Sequence, residues 1–251
     1  MINAMIFAAG LGTRLHPYTA NCPKALVKIG QFTLLEIALK KMQRLQVKRV
    51  VVNVHHHAGQ IIDFLKKHQS RSFEIVVSDE TDQLLDTGGG LRKAASLFTE
   101  KLPILIYNAD VLTSANLNQL LQMHENEKNM ATLMVQNRNA SRFLLFDDNN
   151  ELCGWQNPKT GEEKWVTHEQ DNIIKLGFNG IQIVDYTILD LIQQTGAFPI
   201  IPEYLRIAAK HRIAAWQNWQ GSWFDIGTPD KLKTAENYFL SCSPDERDNF
   251  F

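Results

Sequence analysis

The stretch Ile2-Asn3-Ala4-Met5-Ile6-Phe7-Ala8-Ala9-Gly10-Leu11-Gly12-Thr13-Arg14-Leu15-His16-Pro17, followed by Pro23-Lys24, organises this chain of 251 residues. An apolar run of strand length ends in Ala8 and Ala9 and breaks at once into Gly10, Leu11, Gly12, Thr13 and Arg14. Side chains that are small or missing let backbone N–H groups close on a phosphate or a flat base. Arg14 and Lys24 bring two cations to the same neighbourhood, so the stretch points to polyphosphate chemistry. Two better-known glycine loops are excluded. A dinucleotide fingerprint needs a third glycine where this chain has Leu15, and a helix that Pro17 opposes. A Walker A loop needs Gly-Lys before Ser or Thr, and Gly12 is followed by Thr13-Arg14.

Outward from this stretch, apolar spacing predicts a helix over Leu34 to Leu45, a buried strand over Val47 to Val54, a helix over Ala58 to Lys67 and a strand over Phe73 to Val77. Leu91 to Phe98 and Leu117 to His124 read as helices, and Pro103 to Tyr107 and Ala131 to Val135 as strands. Strands alternating with helices, and lacking clean polar alternation, imply an α/β fold. Its central sheet is mainly parallel, or mixed, with helices on both faces. Ligands in such folds sit beyond the carboxyl ends of the strands. The glycine loop, the segments before Asp86 and Asp110, and His55-His56-His57 all follow predicted strands, so one edge of the sheet should gather them.

After Asn137 the rhythm changes. Phe143 to Phe146, a four-residue turn, and Glu151 to Trp155 read as a hairpin within an excursion around residues 138–175, with 157–172 polar and exposed. Ile173 to Val184 returns to the sheet; helices are expected near 186–194 and 202–210, a strand at Ile213 to Trp216, and a closing helix after Pro229. One domain over 1–240 with a frayed tail at 241–251 is the expected organisation.

Composition narrows the class further. A 44% hydrophobic content supports a substantial core, and a formal charge of −1 without a long basic run leaves no electrostatic footprint for nucleic acid. Cys22, Cys153 and Cys242 lack metal spacing and read as reduced thiols. No stretch reaches membrane-spanning length and residues 2–9 lack the basic start of a signal peptide, so a cytoplasmic protein with no membrane partner is expected.

The wider pattern is more specific. Ala8-Ala9-Gly10-x-Gly12-Thr13-Arg14 with Pro23-Lys24 resembles the signature of the sugar-1-phosphate nucleotidyltransferases. The resemblance continues through Asp86-Thr87-Gly88-Gly89-Gly90, Asn108-Ala109-Asp110, Phe178-Asn179-Gly180 and Trp223-Phe224-Asp225-Ile226-Gly227-Thr228-Pro229, which covers nearly the whole chain. It implies a Rossmann-like, GT-A-like nucleotidyltransferase fold. The implied reaction joins a nucleoside triphosphate to a sugar 1-phosphate, giving a nucleotide sugar and pyrophosphate.

Asp110 ends an apolar strand and Asp225 stands between Phe224 and Ile226; each carboxylate either caps local backbone or holds a divalent cation. By resemblance the two together bind Mg²⁺. Arg14 suits a bidentate grip on phosphate oxygens, and Lys24 a point charge near the α-phosphate. Ala8, Ala9, Gly10, Gly12, Thr13, Glu80, Gly88 and Asn108 fall at implied nucleotide contacts. On the sugar side, Asn179 and Gly180 match a family position, but the Glu-Lys-Pro triplet of many members is absent where this chain has Trp155-Gln156-Asn157-Pro158. Arg142 is the replacement candidate for the sugar-phosphate cation. The N-acetylmuramate-1-phosphate uridylyltransferases, which also lack the triplet, look most similar.

UTP with an N-acetylated sugar 1-phosphate is therefore the expected pair. GTP with mannose or heptose 1-phosphate, dTTP or UTP with glucose 1-phosphate, choline phosphate as acceptor, and a catalytically silent nucleotide-sensing subunit are the alternatives. His55-His56-His57 is read as a polar loop, since adjacent histidines diverge, and Trp216, Trp219 and Trp223 as edge packing before ligand stacking.

Overall fold

The computed structural model describes residues 1–168 and 172–251. Its strands are β1 (Ile2–Phe7), β2 (Lys28–Ile29), β3 (Phe32–Thr33), β4 (Val47–Val54), β5 (Glu74–Asp79), β6 (Ile104–Asn108), β7 (Val111–Thr113), β8 (Ala131–Gln136), β9 (Phe143–Phe146), β10 (Leu152–Asn157), β11 (Glu162–Trp165), β12 (Ile174–Val184), β13 (Ile213–Trp216) and β14 (Trp223–Asp225). The helices are α1 (Leu34–Arg44), α2 (Ala58–Lys67), α3 (Asp86–Ala94), α4 (Leu117–Glu127), α5 (Ile188–Leu191), α6 (Ile200–Ala208), α7 (Pro229–Ser241) and α8 (Pro244–Asp248).

β1 is buried along almost its whole length because it lies inside the main sheet, between β4 and β6 and parallel to both. The sheet runs β11-β10-β9-β12-β6-β1-β4-β5, with β8 joined to β12 and β13 to β8. It is parallel from β6 to β5 and turns antiparallel at β12, which pairs with β6, β8 and β9. Register matters for function: Phe7, at the end of β1, stands opposite both Asn53 and Asn108. Three parallel strands therefore deliver their last residues to one level of one edge.

Both faces of the sheet are covered, as the alternating pattern predicts. Leu35, Ala38 and Met42 of α1, Ile61 and Leu65 of α2 and Leu120 of α4 fill one side. Leu91 and Ala94 of α3, Ile188 of α5 and Tyr204 and Ile207 of α6 fill the other. Helix starts follow local chemistry: the Thr33 hydroxyl accepts from the Glu36 amide at the start of α1, and Thr228 caps α7 with Pro229 in its first turn.

Three expectations need correction. The tail does not fray: Ser243 and Glu246 form a reciprocal capping box that starts α8, and Phe250 is 1% exposed in a small third core with Phe239 and Leu34. Lys41 and Arg44 on α1 fasten this end by donating to the Asn249 and Asp248 carbonyls. The polar segment after Asn157 is no bare excursion, because β11 pairs with β10 and adds a strand to the sheet edge; residues 169–171 of that segment lie outside the described residues. The helix expected over 186–194 is only the short α5, which ends where the Ile192 amide donates to the Ile188 carbonyl.

Candidate functional site

The glycine loop leaves β1 at Phe7. Gly12 adopts φ +66°, and a Cβ there would stand 3.0 Å from Thr19 and 3.1 Å from Lys24, so glycine is required both by conformation and by the stem of Lys24. The Thr19 hydroxyl donates to the Gly12 carbonyl at 2.9 Å and holds the turn against that lysine. Gly10 has open space where a side chain would project.

Ala8 and Ala9 line the cleft, and their amides are taken by protein. Both donate to Asn53 Oδ1, at 2.7 and 3.3 Å. Asn53 Nδ2 donates in turn to Glu80 Oε1 at 2.8 Å, and Glu80 Oε2 accepts from the Leu85 amide at 3.1 Å. Glu80 is fully buried, which its paired carboxylate tolerates. This relay binds the ends of β1, β4 and β5 to the start of α3. The amides of Gly10 to Thr13 have no hydrogen-bond partner among the described residues, and these residues line the cleft, with Leu15 donating back to Gly12. The sequence gives no sign of Asn53, because its partners lie 45 and 27 residues away.

Gly88 also has a packing purpose beside the nucleotide contact expected of it. All three glycines lie inside α3, and a Cβ on Gly88 would meet the Phe198 ring at 2.3 Å, on Gly89 the Gly196 carbonyl at 2.2 Å, and on Gly90 the Glu80 carboxylate at 2.8 Å. The amides of Gly88 and Gly89 donate to the Phe198 carbonyl, so the helix start is already satisfied by protein. The glycines permit close packing, and Asp86 and Thr87 reach the cleft in their place.

Asn108 and Asp110 follow β6, and the Ala109 amide donates to the Phe7 carbonyl, so the small residue of this motif lies against the glycine strand. Gly180, at φ +75°, makes room for Asn108, whose Nδ2 would be 2.7 Å from a Cβ there. β14 pairs antiparallel with β7, placing Asp225 opposite Val111, and the Ile226 amide donates to the Asp110 carbonyl at 2.8 Å. The two aspartates thus stand on neighbouring backbones joined by a hydrogen bond. Each carboxylate is met by a lysine: Asp110 by Lys24, and Asp225 by Lys231 of α7 at 2.6 Å. Tyr107, below them, donates to the Val111 carbonyl, and burial followed by the Asp110 charge holds its hydroxyl well above the usual range.

These elements enclose a cleft of about 620 Å³, lined by the loop from Ala8 to Arg14, by Lys24, Asn53, Glu80, Asn108 and Asp110, and by Gly227 beside Asp225. No cluster of three metal-ligating side chains occurs among the described residues. His55 donates from Nδ1 to the Glu80 carbonyl at 2.6 Å and supports the relay, while His56 and His57 lie ring to ring. Trp216 and Trp219 pack in the core, as the edge-packing reading has it.

The sugar side departs furthest from expectation. Arg142 is exposed and makes no ion pair or hydrogen bond among the described residues. Arg138, four residues earlier at the end of β8, is the cation that meets Asn179, donating from Nε to its Oδ1 at 3.1 Å and from Nη2 to the Phe178 carbonyl at 2.7 Å. Its guanidinium lies 4.5 Å from the Trp223 ring centre, and Trp223 Nε1 donates to the Asn179 carbonyl at 3.0 Å. Burial lowers the Arg138 pKa and the Asp225 charge opposes that effect, so the two groups are in electrostatic reach. No helix among the described residues is long and apolar enough to cross a membrane.

Comparison with known proteins agrees with this geometry. The nucleotidyl transferase family model matches residues 3–241. An N-acetylmuramate alpha-1-phosphate uridylyltransferase of Caulobacter vibrioides is 29% identical over 93% of this chain and 95% of its own length. A probable mannose-1-phosphate guanylyltransferase of Oryza sativa is 26% identical over 95% of this chain, which spans 65% of that protein. Among solved structures, a putative glucose-1-phosphate thymidylyltransferase from Bacillus anthracis superposes with a TM-score of 0.79 over 99% of both chains at 18% identity. A UDP-glucose pyrophosphorylase from Acinetobacter baumanii gives the same score at 16% identity, covering 99% of this chain and 97% of its own. With the family model matched along nearly its whole length, the chain belongs to the nucleotidyl transferase family and is a sugar-1-phosphate nucleotidyltransferase.

Proposed function

We propose that this enzyme transfers the uridylyl group of UTP to an N-acetylated sugar 1-phosphate of the N-acetylmuramate 1-phosphate kind. The observation that carries the reading is the junction of Lys24, Asp110 and Asp225 at the side of the glycine-loop cleft. The full-length similarity to a uridylyltransferase supports the choice of substrates. An oxygen of the acceptor phosphate forms a bond to the α-phosphorus, the bond from that phosphorus to its β-bridging oxygen breaks, and the electron pair leaves with pyrophosphate. A phosphate monoester is largely a dianion at neutral pH, so no general base is needed.

The work of the protein is positioning and charge stabilisation. The free amides of the glycine loop cradle phosphate oxygens, and Arg14 grips them in the ground state. Lys24 exchanges Asp110 for the α-phosphate, where negative charge builds during transfer. Asp110 and Asp225 are the groups that would hold Mg²⁺. Two hard carboxylates on hydrogen-bonded backbones, each matched only by an ammonium group, suit an ion that takes one or two protein carboxylates and completes its shell with phosphate and water. Bound there, the ion would neutralise charge on the triphosphate and the departing pyrophosphate.

The test is pyrophosphate release from the four NTPs and dTTP, each with N-acetylmuramate, N-acetylglucosamine, mannose and glucose 1-phosphates and with choline phosphate, in the presence of Mg²⁺. The fastest turnover is expected for UTP with an N-acetylated acceptor. Preference for GTP with mannose 1-phosphate would replace the substrate assignment with guanylyl transfer. UTP binding by calorimetry without release from any pair would point to a silent nucleotide-sensing protein.

A further inference from the structure

Arg138 is a half-buried guanidinium with no carboxylate within ion-pair distance among the described residues. Three of its five N–H groups are engaged: one each by the Asn179 side chain and the Phe178 and Asn139 carbonyls. Two donors remain. Beside it, Asn179 Nδ2 is buried and has no partner. Removing a cation partly from water without a matching anion is costly, and such groups persist where a ligand supplies the charge.

The guanidinium is also fixed in place. The Trp223 ring covers one face, two neighbouring β12 groups hold its fork, and Gly177 leaves it space, since a Cβ there would come within 3.0 Å of the guanidinium. Trp223 is two residues from Asp225, and Arg138 is within electrostatic reach of that carboxylate. The acceptor phosphate has to approach the α-phosphate beside Lys24 and Asp110, which is bonded through backbone to Ile226.

We propose that Arg138, held by Trp223 and Asn179, seats the 1-phosphate of the acceptor and does the work that a lysine of the absent Glu-Lys-Pro triplet does elsewhere. The inference rests on the nucleotidyl-transfer reading. Arg138 touches the substrate phosphate without exchanging a proton with it, and its unused donors meet two phosphate oxygens in the geometry that suits a guanidinium. Phe178, Asn179 and Trp223 are positioning residues that aim it.

Steady-state kinetics of Arg138→Met and Arg138→Lys, with UTP and acceptor varied in turn, test the proposal. The methionine variant should raise the acceptor KM by about 10- to 100-fold, the factor carried by loss of hydrogen bonds to a charged group. KM for UTP should stay within about 3-fold, and lysine should recover part of the loss because it keeps the charge without the fork. Equal increases in both KM values, or no increase for the acceptor, would overturn the assignment. N-acetylmuramate 1-phosphate carries a lactyl carboxylate that N-acetylglucosamine 1-phosphate lacks, so the two serve as separate arms. The same loss with both supports phosphate seating, and a loss confined to the carboxylate-bearing sugar contradicts it. If the wild-type enzyme turns over no pair, the functional reading fails by itself. Phosphorus NMR of inorganic phosphate binding in the presence of UTP then still decides the role of Arg138: weakened binding to the methionine variant supports it, and equal binding overturns it.

Discussion

The two halves of the cleft are built on opposite plans. On the proposed nucleotide side, Asn53, Glu80 and the amides of Ala8, Ala9 and Leu85 are hydrogen-bonded to one another, and buried strand ends hold them. On the proposed acceptor side, Arg138 keeps free donors and Asn179 Nδ2 has no partner among the described residues; the Trp223 face and the Phe178 and Asn139 carbonyls hold Arg138, and Trp223 donates to the Asn179 carbonyl. A satisfied network gives rigidity and presents a fixed shape to its ligand. An unsatisfied one stores unmet bonding capacity that a ligand can complete. On the proposed reading the first network acts as a frame, and discrimination between acceptors falls to the second.

Where the halves meet, Asp110 and Asp225 are the groups whose loss should matter most. Asp110→Asn and Asp225→Asn should each remove most activity while the protein still folds, because each takes a hard anionic oxygen from the one ion proposed for both. Combined, the two losses should fall short of additive, as expected for residues acting as a unit. Either variant retaining a near-normal rate at saturating Mg²⁺ would make that residue structural and break the junction as described.

A smaller effect distinguishes the two lysines that sit on these carboxylates. The Lys24–Asp110 pair is the more enclosed, with side-chain exposures of 13% and 28%, whereas Lys231 is 54% exposed. Solvent-exposed pairs are worth little. Lys231→Met should tighten binding of Mn²⁺, used as a paramagnetic probe in place of Mg²⁺, by no more than about 5-fold, through loss of a competitor and of a nearby positive charge. Weaker binding in this variant would show that Lys231 supports the ion site instead of guarding it.

Much of the nucleotide half could be read from sequence because its logic is local. Gly10 and Gly12, with Lys24 beyond them, announce a loop that must admit a ligand, and Asp110 follows an apolar strand whose carboxyl end marks the site. Asn53 escaped notice because its role exists only once β1 and β4 lie side by side. Gly88 shows a different limit of the sequence. A glycine that admits a ligand and one that admits a neighbouring segment look the same in sequence, and only the Phe198 ring against α3 tells them apart. Arg142 was the cation the hairpin pattern offered, and Arg138 went unnoticed because its contact with the face of Trp223 joins positions 85 residues apart. The tail misled through its polar composition, although Ser243 followed three residues later by Glu246 is a legible helix start.

The claim that unites the two halves is that Lys24 acts on charge developing at their junction, whereas Arg14 grips the triphosphate in the ground state. Single-turnover rates of nucleotidyl transfer for Lys24→Ala and Arg14→Ala, beside calorimetric affinities for UTP, address it directly. The lysine variant should lose on the order of 10²-fold or more in rate with affinity little changed, as for removal of one preorganised electrostatic group, while the arginine variant should lose both. A lysine variant with normal rate and poor affinity would place Lys24 among the binding groups only and contradict the account.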